Sequence, residues 1–303
     1  MISISFSASD NYSQHLAVVI TSILVNNPRS RFVFHVLHRN ISKENQERIR
    51  RLERMYPICE IVFHFVDASS MEKFPIPEGL EHVTTETYFR YLLPEILKDE
   101  KRTIYSDVDV LCRADIGEVW KIDLCGKSMA AVRNYEGESN GYNRGIVKLG
   151  FSPDSPYFFT GFLVMDLEKM RKEGLSEKLM RSTMLHGKDV AFIDLDIINL
   201  VCEGDIVEVD RVWNETARYS VFRRDVKIWH FPGSTQKPWC NIWKNTTWPI
   251  YLKYLLKSSY RNNALLFVWG HIKGFLFFRY TKKGVTRYLV FGIRVMRSQE
   301  KQK

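Results

Sequence analysis

The stretch Lys101-Arg-Thr-Ile-Tyr-Ser-Asp-Val-Asp-Val-Leu111 combines a predicted buried strand with two acids, Asp107 and Asp109, spaced two residues apart. An unpaired buried carboxylate is costly, so acids in such a place usually meet a cation or hydrogen-bond donors. Positions two apart face the same side of an extended chain, and both acids can then reach one ion. The stretch therefore predicts a cation site at the carboxyl end of a strand, where open α/β sheets bind their ligands.

The Asp-x-Asp spacing by itself is not specific. A chain of this length with 15 Asp contains about 0.7 such pairs by chance. A second pair occurs at Asp194 and Asp196. On spacing alone, capping of a helix or a turn is the favoured interpretation, and the cation site needs support from other residues.

Strand-like and helix-like segments alternate along the first third of the chain. The hydrophobic pattern predicts strands at 2–6, 32–37, 60–66 and 102–106, helices at 16–25, 42–55 and 84–97, and a loop at 71–82. This alternation predicts an α/β fold with a mainly parallel, doubly wound sheet.

The second half of the chain is less regular. It has predicted strands at 128–133, 158–167, 205–209 and 226–231, helices at 168–184 and 190–202, and an exposed loop at 134–148. Two domains are expected: residues 1–250 form the α/β domain, and residues 251–303 form a basic, aromatic tail.

The positive charge of the protein is concentrated in that tail. The chain has 44 Lys and Arg and 35 Asp and Glu, a formal net charge of +9. Residues 251–303 contain 12 of the basic residues and one acid, so the rest of the chain carries −2. This distribution argues against nucleic-acid binding across the fold and indicates an anionic surface as the partner of the tail.

The five cysteines are scattered, without a CxxC pair, which favours reduced thiols over a disulfide framework or a zinc site. The N-terminus lacks the features of a secretory signal, and no segment approaches the roughly 18 apolar residues of a membrane-spanning helix. A cytoplasmic enzyme is expected.

Other residues add to the predicted cation site. His230 ends a late strand, and an imidazole ligand would favour Mn²⁺ over Mg²⁺. The loop after it offers Gly233 for close backbone approach and the charge of Lys237, which suits a diphosphate. Tyr12 could stack on a base, although by themselves residues 7–12 are better explained as an ordinary strand-to-helix turn. Arg90 is either a surface charge or a bridge between diphosphate and carboxylate. No GxGxxG or Walker motif is present.

Several motifs, taken in order, resemble those of glycosyltransferase family 8, the retaining GT-A enzymes, and especially its bacterial lipopolysaccharide α-galactosyl- and glucosyltransferases. The resemblance covers about residues 1–250. The motifs are Phe6-Ser-Ala-Ser-Asp-Asn-Tyr12, Thr87-Tyr-Phe-Arg90, Ile104-Tyr-Ser-Asp-Val-Asp-Val-Leu111, Tyr157-Phe-Phe-Thr-Gly161, Asp194-Leu-Asp-Ile-Ile-Asn199, His230-Phe-Pro-Gly233 and Lys237-Pro-Trp239.

The resemblance implies a Rossmann-like GT-A fold and a donor site for a UDP-hexose, galactose slightly preferred to glucose. It makes Asp107, Asp109 and His230 the ligands of Mn²⁺, with Mg²⁺ as the alternative ion. The implied catalytic residues are Arg90, Asp107 and Asp194, and Asn134 lies where an acceptor-facing acid is common. The implied donor-binding residues are Ala8, Ser9, Asp10, Asn11, Tyr12, Arg90, Asp107, Val108, Asp109, Asp194, Gly233 and Lys237.

Three positions depart from the family pattern. Ser9 replaces a usual acid, which shifts the expected recognition of uracil towards Asp10. Phe159 replaces an Asn, and Leu195 replaces an amide between two acids. Because leucine has no nucleophilic atom, a double displacement through Leu195 is excluded. These changes leave open a catalytically idle nucleotide-sugar-binding or membrane scaffold protein as the alternative function.

The tail combines aromatic residues with its basic ones. Its apolar side chains could pack a last helix onto the domain. A segment that lies at the surface of an anionic membrane is favoured, because the free energies of apolar burial and of electrostatic attraction to the lipid add. The expected location is peripheral, on the cytoplasmic face of the inner membrane, where a glycolipid or other surface-glycan acceptor would be reached.

Overall fold

The structure, a computed structural model, describes residues 1–75, 84–216, 223–233, 237–239, 247–282, 285–291 and 293–299. Its strands are β1 (Ile2–Ser7), β2 (Phe32–His38), β3 (Cys59–Phe65), β4 (Arg102–Ser106), β5 (Val110–Cys112), β6 (Met129–Arg133), β7 (Phe158–Asp166), β8 (Ile206–Val209), β9 (Glu215–Thr216), β10 (Ile228–His230), β11 (Phe277–Lys282), β12 (Val285–Val290) and β13 (Ile293–Gln299).

The helices flank these strands. The α-helices are α1 (Ser13–Asn26), α2 (Lys43–Met55), α3 (Leu93–Ile96), α4 (Gly117–Trp120), α5 (Tyr135–Ser139), α6 (Arg144–Val147), α7 (Leu167–Lys172), α8 (Leu175–His186), α9 (Ile193–Val201), α10 (Trp248–Leu255) and α11 (Ala264–Leu276). Short 3₁₀ helices occupy Asp10–Tyr12, Thr85–Leu92, Arg211–Trp213 and Arg261–Asn263.

A seven-stranded sheet in the order β3-β2-β1-β4-β7-β6-β8 forms the centre of the fold. β1, β2, β3 and β4 are parallel, and β7 runs antiparallel to both of its neighbours, β4 and β6. The predicted α/β class and mainly parallel sheet are confirmed, and the strand predicted at 102–106 matches β4.

β1 lies in the middle of this sheet and is buried on both faces. Ile4 and Phe6 enter the hydrophobic core. Ser3 and Ser5 face the other way and share hydrogen bonds with the Thr103 hydroxyl of β4, at 3.1 and 2.8 Å. The alternation of serines with apolar residues therefore does not mark a solvent-exposed face here, because the serines find buried partners.

A small second sheet, in the order β5-β10-β9, continues directly from the central one. The chain leaves the central sheet at Ser106 and enters the small sheet at Val110, only four residues later. β10 pairs antiparallel with β5, which puts His230 opposite Val110. The end of β10 is thus brought to the carboxyl end of β4.

Three predicted segments are corrected by the structure. The helix predicted at 84–97 is a 3₁₀ helix followed by the single turn of α3, which has Pro94 near its start. The helix predicted at 168–184 is divided into α7 and α8 at Gly174, whose φ is 62°. The exposed loop predicted at 134–148 contains α5 and α6, and Ile146 is buried. Of the loop predicted at 71–82, residues 76–82 lie outside the described residues.

The core continues beyond residue 250, where the domain boundary was predicted. Tyr251, Tyr254 and Leu255 of α10 are buried in the cluster that contains β1 and α1, and Ala264 is the last residue of that cluster. After it, α11 leads into an antiparallel sheet of β11, β12 and β13. Within the described residues, no helix has the length and apolar character needed to cross a membrane.

Two histidines pair between neighbouring strands of the central sheet. His35 of β2 lies 3.0 Å from His64 of β3, measured from Nδ1 to Nε2. Burial lowers the pKa of His35 to about 4, and the neighbouring His64 adds to this effect. His35 is therefore neutral in the folded protein at neutral pH.

The buried neutral state of His35 makes stability depend on pH. In the unfolded chain this residue is protonated below the ordinary histidine pKa of about 6.5. In the folded chain it is protonated only below about pH 4. The free energy of unfolding should therefore fall with decreasing pH, by about 1.4 kcal/mol per pH unit for this group. Urea unfolding of His35→Gln should show a shallower dependence between pH 6.5 and 4.5. His186→Gln is the control for removal of a histidine elsewhere, and an unchanged slope in His35→Gln would contradict the assignment.

Candidate metal and ligand site

Asp107 and Asp109 lie at the junction between the two sheets. The Asp107 backbone N–H donates to the Gly161 carbonyl of β7 at 2.8 Å, and the Phe231 N–H donates to the Asp109 carbonyl at 2.9 Å. Each acid is thus fixed by a different strand. Both acids follow the carboxyl end of β4, as predicted, but the argument from one face of an extended strand does not apply, because β4 ends at Ser106.

The two carboxylates nevertheless converge on His230. The His230 Nε2 atom lies 3.9 Å from Oδ2 of Asp107 and 3.5 Å from Oδ1 of Asp109. One potential ligand atom from each residue lies within 4.8 Å of the other two, and the described residues contain no other such group of three His, Cys, Asp or Glu. The structure therefore brings together the three residues predicted from the sequence as metal ligands.

The surroundings of these residues fit a cation. The buried Asn214 Oδ1 lies 2.9 Å from His230 Nδ1 and can only accept, so Nδ1 carries a proton and Nε2 is directed at the carboxylates. A Cβ atom on Gly161 would lie 2.5 Å from His230 Cε1 and 2.7 Å from Asp107 Oδ2. The glycine thus keeps the space between the ligands open. Carboxylate oxygens with one imidazole suit Mn²⁺, and Mg²⁺ less well.

Arg90 connects Asp107 with Asp194. Its side chain is 4% exposed, and its two terminal nitrogens lie 3.0 Å from Asp107 Oδ1 and 3.2 Å from Asp194 Oδ2. It also donates to the backbone carbonyls of Thr87 and Thr160. Burial alone would lower the pKa of Arg90, but the two acids raise it overall, so the guanidinium is permanently charged. The interpretation of Arg90 as a surface charge is wrong.

Asp194 and Asp196 have different environments. Asp194 accepts from the Thr87 hydroxyl at 2.9 Å and faces the cavity described below. Burial raises its pKa above the usual range, although Arg90 acts in the opposite direction. Asp196 is fully buried and accepts from the backbone N–H groups of Ala191 and Phe192, both at 2.8 Å. Asp196 therefore stabilises the start of α9.

The backbone at Ile193 is strained. Its φ is 27°, a conformation that a β-branched residue rarely adopts. Such a residue costs about 1–3 kcal/mol and persists where the surrounding structure holds it. Ile193 is buried and immediately precedes Asp194. The strain thus lies at the turn that directs the Asp194 carboxylate.

Lys237 pairs with Asp109. Its ammonium group donates to Asp109 Oδ2 in a close contact. Burial would raise the pKa of Asp109, but Lys237 and His230 outweigh it and hold the pKa below its usual range. Asp109 is therefore ionised at neutral pH. Contacts link Lys237, Asp109, His230, Asp107, Arg90 and Asp194 in that order.

Aromatic rings form a wall beside Lys237. His15 stacks on Trp239 with ring centres 3.6 Å apart, and Tyr12 meets Trp239 edge-on at 6.4 Å. The His15 Nδ1 atom is 2.7 Å from the Tyr251 hydroxyl. Burial and the nearby charge of Lys237 lower the pKa of His15 to about 3, so the ring is neutral. The wall therefore depends on a residue of α10.

These groups line one cavity of about 670 Å³. Most of the predicted site residues line it: Ala8, Ser9, Tyr12, Arg90, Asn134, Asp107, Val108, Asp109, Asp194, His230, Gly233 and Lys237. All three departures from the family pattern, Ser9, Phe159 and Leu195, line it, so they change the composition of its wall.

The structure does not bring Asp10 and Asn11 to the cavity wall. Asp10 instead accepts from the Ser42 backbone N–H at 2.8 Å and from the Asn45 side chain at 2.9 Å. These contacts lower its pKa, the Asn45 hydrogen bond most. Asp10 is thus placed as a partner for the first turn of α2, and Asn11 is exposed.

Several residues at the site were not found from the sequence. Thr87 and Tyr105 support Asp194 and Asp107 respectively, and Asn214 orients His230. Thr87 and Asn214 lie 107 and 16 positions from their partners, so spacing gives no signal for them, whereas Tyr105 is only two positions from Asp107. Gly161 did give a signal in the sequence, because a glycine within a strand often marks a place where a ligand or another backbone segment approaches closely.

The comparisons with known proteins agree with this geometry. The sequence model of Glycosyl transferase family 8 matches residues 3–243. A Haemophilus influenzae protein with a provisional assignment as a glycosyltransferase is 30% identical over 217 residues, 71% of this chain and 63% of the relative. The lipopolysaccharide 1,3-galactosyltransferase of Salmonella typhimurium is 26% identical over 87% of this chain and 80% of its own.

Solved structures show the same fold. The galactosyltransferase LgtC, crystallised with donor and acceptor sugar analogs, has a TM-score of 0.73 with this chain. The two are 24% identical, over 84% of this chain and 95% of LgtC. At this identity the likeness establishes the fold alone.

The open space beside Gly161 gives a test of the metal site. In Gly161→Ala the added methyl group would overlap His230 and Asp107, so we expect the affinity for Mn²⁺ to fall by at least about tenfold. Isothermal titration calorimetry with Mn²⁺ measures this. Gly270→Ala is the matched control, because a Cβ there meets no described atom within 4 Å. Unchanged Mn²⁺ affinity in Gly161→Ala would contradict the proposed ligand geometry.

Proposed function

This chain belongs to glycosyltransferase family 8, and we propose that it transfers a hexose from a UDP-sugar to a glycan acceptor with retention of the α configuration. The observation that carries the proposal is a single cavity with a cation-ligand group at its centre. Asp107, Asp109 and His230 form this group, with Lys237 on one side and the Arg90–Asp194 pair on the other.

The proposed donor is UDP-galactose, with UDP-glucose as the second choice. The choice of galactose rests on likeness to the Salmonella typhimurium galactosyltransferase. Tyr12 and Trp239 offer ring surfaces on which the uracil base can stack. Phe159 and Leu195 give the sugar region of the cavity an apolar surface where the family pattern has amides, so the hexose hydroxyls must find other partners.

The diphosphate is proposed to bind beside Lys237. Gly233 has a φ of 71°, which lets the backbone approach a ligand where a side chain would be strained. When the donor binds, Lys237 can turn from Asp109 to the phosphate oxygens, because its flexible side chain carries a mobile point charge. A divalent cation held by Asp107, Asp109 and His230 would act as a Lewis acid on the departing diphosphate.

Arg90 and Asp194 are proposed to orient the hexose. Arg90 cannot lose its proton in this setting, so it keeps a positive charge between Asp107 and Asp194 beside the reacting sugar. The acceptor hydroxyl would attack the anomeric carbon from the face that the diphosphate leaves, which retains the configuration. Leu195 offers no nucleophile, which supports this single-step route over a covalent intermediate.

The surface of α11 is proposed to dock on an anionic membrane. Leu265, Leu266 and Trp269 are 82%, 71% and 58% exposed, and basic residues surround them in the sequence. Phe267, between them, packs instead on Tyr251 with ring centres 5.2 Å apart. Docking on the cytoplasmic leaflet would bring the cavity to a lipid-linked acceptor of lipopolysaccharide or another surface glycan.

The activity test uses a panel of UDP-sugars with Mn²⁺ and glycolipid acceptors. The wild-type protein should release UDP, and Asp109→Asn should lower kcat/KM by more than about 100-fold because it removes a charged ligand. Asp99→Asn, which changes an exposed aspartate, should keep wild-type activity. Donor-dependent thermal stabilisation without turnover would favour the idle binding protein. Undiminished turnover in Asp109→Asn would refute the metal assignment.

The docking surface is tested with point substitutions, because part of the tail belongs to the core. Sedimentation with vesicles containing anionic lipid should fall at least about tenfold when Leu265, Leu266 and Trp269 are all replaced by Gln, since apolar burial is lost. The control replaces Met184 and Leu185 of α8, which are 51% and 64% exposed, by Gln. Equal sedimentation of both variants would refute docking through α11.

A further inference from the structure

Glu86 is a buried acid in the cavity that the roles described above do not use. It lies in the first turn of the Thr85–Leu92 helix, lines the cavity and is 6% exposed. Its Oε2 atom is inaccessible to solvent and makes no hydrogen bond to any residue that the structure describes. A buried carboxyl oxygen without a donor destabilises a protein, so such an atom calls for an explanation.

The other acids at the centre of the cavity have cationic partners. Asp107 and Asp194 share Arg90, and Asp109 pairs with Lys237. Among the described ion pairs, none includes Glu86. Glu86 is also separate from the group of three potential metal ligands. Because Glu86 lines the cavity, a ligand that enters it can become this partner once the carboxyl group turns towards the ligand.

The position of Glu86 indicates which part of a ligand it meets. The next residue, Thr87, donates its hydroxyl to Asp194 Oδ1 at 2.9 Å, and the Thr87 carbonyl accepts from Arg90 Nε at 3.0 Å. Glu86 therefore directly precedes the residue that contacts both Arg90 and Asp194, and Lys237 is at the opposite end of the row of contacts. Under the proposed function, the Arg90–Asp194 end receives sugar and the Lys237 end receives diphosphate.

We propose that the Glu86 carboxylate accepts a hydrogen bond from a hydroxyl group of a sugar substrate and thereby contributes to sugar specificity. This inference rests on the proposed function. An ionised carboxylate only accepts hydrogen bonds, so its ligand must supply a donor. A sugar has several hydroxyl donors, and a diphosphate at neutral pH has none. Phe159 and Leu195 are apolar and cannot hydrogen-bond to a sugar hydroxyl group through their side chains, whereas Glu86 can.

A site built in this way has two measurable consequences. In the enzyme without ligand, the unpaired oxygen lowers the stability of the protein. When the sugar binds, its hydroxyl group supplies the missing hydrogen bond. Substitution of Glu86 should therefore stabilise the free protein while weakening catalysis. A purely structural role for Glu86 would make the free protein less stable.

The experiment compares Glu86→Gln and Glu86→Leu with the wild type. The melting temperature of ligand-free Glu86→Leu should rise by about 2–4 °C. In both variants kcat/KM for transfer should fall by about 10- to 100-fold, as expected when a charged hydrogen bond to a substrate hydroxyl is lost. Glu177→Gln, an exposed acid on α8, is the matched control and should behave as the wild type.

Two assays identify which sugar Glu86 binds. Hydrolysis of the UDP-hexose without acceptor depends only on the donor, so a loss in both hydrolysis and transfer assigns the hydroxyl to the donor hexose. A loss confined to transfer, with a raised KM for the acceptor, assigns it to the acceptor sugar.

Other results overturn the inference. Wild-type kcat/KM in both Glu86 variants, or a lower melting temperature for ligand-free Glu86→Leu, would contradict it while leaving glycosyl transfer intact. If the wild-type protein turned over no UDP-hexose, the proposed function itself would fail. Calorimetry with UDP-hexoses and free hexoses would then decide the role of Glu86, since equal affinities in wild type and Glu86→Gln would overturn it as well.

Discussion

The buried guanidinium of Arg90 holds two carboxylates that the fold would otherwise have to keep apart. Asp107 follows β4 and Asp194 begins α9, so the two acids belong to distant parts of the chain. A buried charge is tolerated only when it is paired and hydrogen-bonded, and Arg90 satisfies both acids together with two backbone carbonyls. Removing this one cation would leave two uncompensated acids at this end of the cavity. Arg90 thus connects α9, the Thr85–Leu92 helix and the end of β4.

The arrangement of Asp107, Asp109 and His230 depends on a second constraint, the short connection between the central sheet and the small sheet. Only three residues separate β4 from β5, and two of them are Asp107 and Asp109. Because β10 pairs with β5, the same connection that positions the acids also brings His230 to them. Gly161 on β7 leaves the space between the ligands free. The short link between β4 and β5 and the end of β10 therefore place the three residues, which suits the fixed geometry of the proposed cation and diphosphate site.

Much of this arrangement was predictable from local sequence, and the remainder depends on long-range contacts. The strand at 102–106 and the association of Asp107 and Asp109 with His230 were predicted, because strand pattern and motif order are properties of the sequence. The geometric reason offered for the two acids was wrong, since a strand boundary separates them from β4. The contact of Tyr251 with His15 could not be predicted, because it joins α10 to α1 across 236 positions. The capping role of Asp10 and the unpaired oxygen of Glu86 likewise appear only when distant elements pack together.

The central claim is that Asp107, Asp109 and His230 hold a divalent cation next to the diphosphate of a nucleotide sugar. Anomalous diffraction at the manganese absorption edge, from crystals grown with Mn²⁺ and UDP, tests it directly. The account predicts one strong anomalous peak in contact with both carboxylates, with His230 Nε2 and with phosphate oxygens, and Lys237 turned from Asp109 towards the diphosphate. A UDP molecule bound in the cavity with no anomalous peak at these residues, or with the peak elsewhere, would contradict the account.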